Sequence, residues 1–260
     1  MKSCVLYIVP VTIVCAGLHC TTGFRKPLNP ILGETYQAHM DDGTQIFMEQ
    51  SSHHPPVSSW HVTGADKCYE FFGFVGYVAT FRYNKFKVLH SGPRVIRFKD
   101  GAEITFDSPV DQYVNLFYGE VRHETLGNMT FKDEKNGLTC HFEFQAFSDA
   151  PNDVCAGDIR DAGGNVISRL LGSWLGFVDW DGKCYWDINT HTPDAVHRSP
   201  NPLPSDSRYR EDAVLLNEGR LQESQDMKTR LEEAQRRDRR LRAAARKEAE
   251  AEHDPHGDAL

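Results

Sequence analysis

From Glu34 to about Asp187 the hydrophobic positions recur with a period of two, and turn residues interrupt them at short intervals. That period puts alternate side chains on opposite faces of an extended chain, so it predicts strands. Segments 35–40 and 45–50 flank Asp41-Asp42-Gly43, a hairpin signal because Asp-Gly tolerates positive φ. Segments 57–63 and 68–74 flank Gly64-Ala65-Asp66, 95–99 and 103–106 flank Asp100-Gly101, and 129–132 and 138–144 flank Lys135-Asn136-Gly137. A strand at 166–170 leads to another at 174–178, and Asp181-Gly182 turns the chain into a third at 185–188. Consecutive antiparallel hairpins of this kind close most easily as a barrel or a strongly curved sheet. Their aromatics, among them Phe71, Phe72, Phe74, Tyr77, Phe81, Phe142, Trp174 and Trp186, exceed what one thin layer needs. They either fill the core outright or line a sheet that wraps a helix or encloses a ligand cavity.

The pattern changes at both ends. Between Asp187 and Asp212 the chain turns to Pro, Ser, Asp and Asn, which reads as an extended surface connector. From Asp212 to about Glu252, Leu, Glu, Gln, Ala and Arg take over, predicting a helix, or two helices broken near Gly219. His253-Asp254-Pro255-His256-Gly257 then ends it. At the other end, Lys2 followed by an apolar run over 5–18 has the outline of a secretory signal. Pro10 in its middle and the odd cysteine count point instead to a core segment, and the run is too short to span a bilayer comfortably. The expected layout is one domain over 1–252: a residual helix and loop (1–33), an antiparallel barrel (34–190), a connector (191–211) and a helical region (212–252), with a disordered tail at 253–260.

Charge and cysteines narrow the classes. A net charge of −8 argues against broad nucleic-acid binding, and no aromatics interleave with the arginines of 236–247. That basic stretch reads as a solvated face or as one drawn to an anionic membrane surface. Seven cysteines without a CxxC pair favour reduced cytosolic thiols over a disulfide framework or structural zinc, so neither metal nor cofactor is expected. No nucleophile motif or Gly-rich phosphate loop marks an enzyme.

Three clusters carry chemistry suited to an anion. In Glu49-Gln50-Ser51-Ser52-His53-His54-Pro55-Pro56, two imidazoles precede two prolines that stiffen the backbone. On an extended chain His53 and His54 point apart, so only a bend aims both rings at one ligand. In Lys26-Pro27-Leu28-Asn29-Pro30-Ile31-Leu32-Gly33-Glu34, two prolines hold Lys26 and Asn29 in a stiff loop. On the last helix Lys228, Glu232 and Arg236 follow one another at i, i+4 and i+8 and share one stripe, where Glu232 can brace the cation on either side. Each cluster alone is compatible with a turn, a loop or an ordinary solvated helix face.

Taken in order, the proline-stiffened loop and the His-His-Pro-Pro octapeptide resemble the signature of the oxysterol-binding protein family, with Ser51 where the fingerprint normally has valine. The stretch from Leu203-Pro204-Ser205-Asp206-Ser207-Arg208-Tyr209-Arg210 to Arg236 is also similar. The resemblance implies a nearly closed antiparallel barrel around a lipid tunnel, with helices at both ends. It implies a non-enzymatic, cytoplasmic protein, peripheral on membranes and monomeric, that exchanges phosphatidylinositol 4-phosphate for a sterol or phosphatidylserine. By motif, Lys26, Asn29, His53, His54, Lys228 and Arg236 would hold the head group, Glu232 would position the cations, and Leu28 would line the upper tunnel. The family places a lid and several helices ahead of the Lys26 loop, where this chain has only about twenty-five residues. A sensor that binds the head group without ferrying lipid is therefore the alternative. Phosphate beside the twin imidazoles favours their protonated form, so head-group affinity is expected to fall as pH rises from about 6 to 8.

Overall fold

In the computed structural model the described residues are 5–19, 28–145, 147, 149–192 and 194–253. The Asp-Gly and Asn-Gly signals all fall where the chain reverses. Strands β1 (Thr35–Met40), β2 (Gln45–His53) and β3 (Pro56–Thr63) form the first two hairpins, and β4 (Tyr69–Arg82) follows. Then come β5 (Lys85–Ser91), β6 (Arg94–Phe98), β7 (Glu103–Phe106), β8 (Val110–Val114), β9 (Arg122–Asp133) and β10 (Leu138–Phe144). The run ends with β11 (Val154–Arg160), β12 (Val166–Ser173), β13 (Phe177–Trp180), β14 (Lys183–Asp187) and β15 (Val196–Arg198).

Among the described residues the pairings of the named strands are antiparallel, and most join sequence neighbours. β5 and β6 keep one register against β4, from Arg82↔Lys85 to Tyr69↔Phe98, so they are one long strand kinked at Gly92-Pro93. Gly92 sits at φ 112°, and a Cβ there would lie 2.3 Å from the Phe74 carbonyl oxygen, so the kink requires glycine. β7 and β8 likewise both pair with β9.

The sheet curls. Its path of thirteen strands begins at β14 and ends at β15, which pairs with β1 at the far edge. Laid flat at about 4.8 Å per strand, those edges would stand roughly 58 Å apart. Yet only residues 188–195 join β14 to β15, a span that reaches at most about 32 Å. The sheet therefore bends round into a near-barrel, as its hairpin pattern implied.

Helix α1 (Val5–His19) lies against β9, β10 and β14. Val11, Val14 and Cys15 join Ile104, Phe131, Phe142, Ile159, Val178 and Trp180 in one buried cluster. Trp180 Nε1 donates to the Tyr7 carbonyl at 2.9 Å, and the Tyr7 ring packs edge-on to Trp180 and stacks on Tyr185. The apolar amino-terminal run is thus core, and no helix among the described residues is long and apolar enough to cross a membrane. Cys15, Cys68, Cys140, Cys155 and Cys184 are free thiols, and burial pushes Cys155 up to about 12.

Three expectations need correction. The segment 174–178 is not a strand, because Trp174 to Gly176 form the turn and β13 begins at Phe177. The 68–74 strand runs on to Arg82, and β5, β8 and β11 fill stretches where no Asp-Gly or Asn-Gly pair announced a hairpin. The Pro-rich connector is not merely a surface tether: it contributes β15 and the buried Asp206. Asp206 accepts from the Gln37, Arg208 and Arg208 Nε donors, locking the connector onto β1. Past it, α2 (Glu211–Asn217) and α3 (Leu221–His253) are separated by Gly219 at φ 76°, the break the sequence predicted. The tail beyond residue 253 lies outside the described residues.

Candidate functional site

The His-His-Pro-Pro stretch is the turn of the β2–β3 hairpin, with His53 paired to Pro56 and the His54–Pro55 bond cis. Just before it, Gln50 pairs with Ser58 and Ser52 with Val57, so Ser51 is the extra residue of a β-bulge. A bulge of this kind resets which face the following side chains take. Buried Gln50 fixes it: Nε2 donates to the Ser52 carbonyl at 2.6 Å, and Oε1 accepts from Ser58 Oγ at 2.7 Å. Ser51 and Ser59 hydroxyls hydrogen-bond across the hairpin. The bend brings the two imidazoles together, with centroids 4.7 Å apart and planes at 68°.

Opposite them runs α3. A cavity of about 420 Å³ lies between the two elements, lined by His53, His54, Ser51, Ser52, Leu32, Glu232, Gln235, Arg236, Arg239 and Arg242. Glu232 sits between its cations as the spacing suggested, 3.8 Å from Lys228 Nζ and 3.4 Å from Arg236 Nη2. Burial, helped by the neighbouring His54, lowers the His53 pKa from its ordinary value, while Glu232 pulls the other way. An anion placed beside His53 would oppose this shift, because a neighbouring negative charge favours the protonated ring.

The predicted residues divide. His53, His54, Glu232 and Arg236 share the cavity, and Lys228 stands beside it on Glu232. Leu28 and Asn29 do not line it: Leu28 is half-buried, Asn29 is exposed, and Leu32 of the same loop takes the apolar position. The loop is pulled toward Arg210, whose Nη1 donates to the Asn29 carbonyl and to Glu34 Oε2. Lys26 lies outside the described residues.

The structure adds residues that spacing arguments passed over. Gln235 accepts from Leu32 N at 3.4 Å, and its Nε2 is buried without a hydrogen-bond partner among the described residues. Arg239 and Arg242 also face the cavity, without a carboxylate partner among the described residues. Steps of three from Glu232 to Gln235, and from Arg236 through Arg239 to Arg242, would have found these residues, since i,i+3 positions are helix neighbours as surely as i,i+4.

The family model described as Oxysterol-binding protein matches residues 6–256. The chain belongs to the oxysterol-binding protein family. Oxysterol-binding protein 9 of Dictyostelium discoideum is 34% identical over 255 residues, covering 88% of this chain and 60% of that protein. Oxysterol-binding protein-related protein 6 of Homo sapiens is 30% identical over 253 residues, 85% of this chain but 27% of the relative. The chain thus spans from about a quarter to three-fifths of these relatives. Among solved structures, the Osh3 ORD in complex with PI(4)P from Saccharomyces cerevisiae has a TM-score of 0.76 at 20% identity, covering 91% of this chain and 69% of that one. The Osh1 ORD domain in complex with cholesterol has a TM-score of 0.72 at 24% identity, covering 85% and 62%. At such identities the likeness is one of fold, and this chain has the oxysterol-binding family's near-barrel.

Proposed function

We propose that this chain is a lipid carrier that grips the phosphorylated inositol head of phosphatidylinositol 4-phosphate in the cavity between the β2–β3 turn and α3. One observation carries the reading: residues far apart in sequence, the His53-His54 pair and the Glu232–Arg236 segment, converge on a single cavity. A buried phosphate must exchange its water for cations and N–H donors, or pay heavily. The cavity supplies two imidazoles, three guanidinium groups and the unpartnered Gln235 amide. Lys228 and Glu232 orient the nearest guanidinium.

The family supports a transported cargo, because one relative's domain is described with PI(4)P and another's with cholesterol. We therefore read the second lipid as a sterol or phosphatidylserine, exchanged between membranes by a peripheral, cytoplasmic protein without covalent chemistry. Moving labelled phosphatidylinositol 4-phosphate between two liposome populations tests this. The carrier gives transfer that depends on protein and is lost in H53A/H54A. Binding without transfer would make the protein a sensor, and release of phosphate would make it an enzyme.

A further inference from the structure

One exposed surface shares no residue with the head-group cavity. Phe81 is 60% exposed, Tyr83 84%, Phe117 71% and Tyr118 73%, the largest run of bare aromatics in the described chain. They come from two tips, the β4–β5 turn and the loop joining β8 to β9, yet they make one patch. The Phe81 ring lies 5.9 Å from Phe117 and 5.4 Å from Phe86. Val121, 51% exposed, stands on the same loop. Isolated exposed apolar side chains are ordinary, but contiguous aromatic patches mark contact sites.

The two tips are clamped. Asn84, buried at the β4–β5 turn, donates through Nδ2 to the Tyr118 carbonyl at 2.9 Å and accepts through Oδ1 from Phe117 N at 2.6 Å. Leu116 N adds a bond to the Asn84 carbonyl. Asn115 Nδ2 closes the loop on the Glu120 carbonyl. Tyr83 and Asn115 hold φ at 54° and 62°, a conformation costly for a tyrosine and retained only where the surroundings enforce it. A rigid scaffold thus displays rings that nothing among the described residues covers.

Charge and position identify what covers them. Within 81–89 and 115–122, Arg82, Lys85, Lys87 and Arg122 oppose Glu120 alone, in a chain whose net charge is −8. All four cations are exposed, and Arg82 lies over the Tyr83 ring. Aromatic rings fringed by Lys and Arg suit the interface of an anionic bilayer, where the rings sit among head groups and the cations meet lipid charge. The patch also lies at the cavity's end of the barrel. β3 pairs Val57 with Gly76, so the His53–Pro56 turn is level with that glycine, and β4 runs on to Arg82, roughly 20 Å further.

We infer that the clamped β4–β5 and β8–β9 tips are a membrane-docking platform, which inserts Phe81, Tyr83, Phe117 and Tyr118 into an anionic lipid surface and sets the head-group cavity over it. The full chain is tested by co-sedimentation with phosphatidylcholine vesicles, with and without phosphatidylserine and free of any phosphoinositide. The expected result is binding to the anionic vesicles that falls about tenfold or more in F117A/Y118S, since even half-burial of two aromatics is worth that much. K85E/K87E lowers it too and flattens its salt dependence. In Y118W, added indole fluorescence is quenched by brominated lipid. Binding of soluble inositol 1,4-bisphosphate, which reports the head-group cavity, stays unchanged in F117A/Y118S. The platform is overturned if the wild type ignores anionic vesicles, if F117A/Y118S sediments like the wild type, or if Y118W is not quenched. It is equally overturned if light scattering shows a wild-type dimer that F117A/Y118S dissociates, because the patch is then a self-interface.

Discussion

Arg210 Nη1 and Glu34 Oε2 stand 2.9 Å apart although 176 residues separate them in sequence. Both side chains are largely buried, and the same guanidinium grips fully buried Asp212 through Nε and Nη2. Glu34 Oε2 in turn accepts from Ile31 N. This junction fixes the loop at the barrel's entry against the start of the carboxy-terminal helices, which holds the two walls of the cavity in register. Replacing Arg210 by leucine strands two carboxylates in a dry site, so R210L should lose about 3–5 kcal/mol in urea unfolding. A loss under 1 kcal/mol would show that water reaches the junction freely.

On the proposed function, phosphate binding beside His53 would be a proton-linked event. Burial and the adjacent ring hold His53 below its ordinary pKa, and a phosphate beside it would raise it. Between the lowered pKa and the one raised by phosphate, binding would take up a proton, so affinity should fall as pH rises through that window and level off above it. Calorimetry in two buffers of different ionisation enthalpy reads the uptake directly. H53Q should abolish most of it, and equal uptake in H53Q and wild type would remove His53 from the site.

Much of this was legible in the residues. Alternation and Asp-Gly turns disclosed the meander because backbone chemistry at a tight turn is local. β5, β8 and β11 escaped because no Asp-Gly or Asn-Gly pair marks them: Tyr83-Asn84 turns the chain into β5, and Pro109 and Pro151 stand ahead of β8 and β11. Gly219 announced the helix break, since positive φ is a local demand. Partners across the fold were beyond such reasoning. Nothing near Arg210 indicates Glu34, and nothing near Gln235 indicates Leu32. The octapeptide marked the histidines, but Ser51 as a bulge residue emerges only once β3 is laid against β2. The arginines of 236–247 read as one basic face, whereas α3 turns Arg239 and Arg242 to the cavity and Arg237 and Arg240 to a separate groove.

That division of α3 is itself testable. Arg239 and Arg242 add positive charge to the cavity without a carboxylate to neutralise them among the described residues. R239A/R242A should therefore weaken capture of vesicles containing phosphatidylinositol 4-phosphate and reduce the salt dependence of that capture. R237A/R240A, on the other face, should change soluble head-group binding little. Both pairs are exposed, so thermal unfolding should stay within a degree or two of wild type. Equal effects of the two pairs on a soluble head group would mean that the helix acts only as a diffuse cationic surface.

Asp206 gives the last case, in the stretch whose composition suggested a mere surface tether. Its side chain is fully buried. Burial alone would push its carboxyl up, but hydrogen bonds from Arg208 N, Arg208 Nε and Gln37 N outweigh it and hold the group below the usual carboxylate value. The unfolded chain therefore binds a proton that the folded one refuses, so this stabilisation is present above the unfolded pKa of about 4 and is lost as pH falls through the lower folded value. D206N keeps the size but loses the charge that Arg208 pairs with, and it should cost about 2–4 kcal/mol at neutral pH. Below about pH 4 its stability should change less steeply with acid than the wild type's. Urea melts of both proteins at a series of pH values measure the two slopes, and parallel slopes would mean that the carboxylate of Asp206 contributes nothing to acid stability.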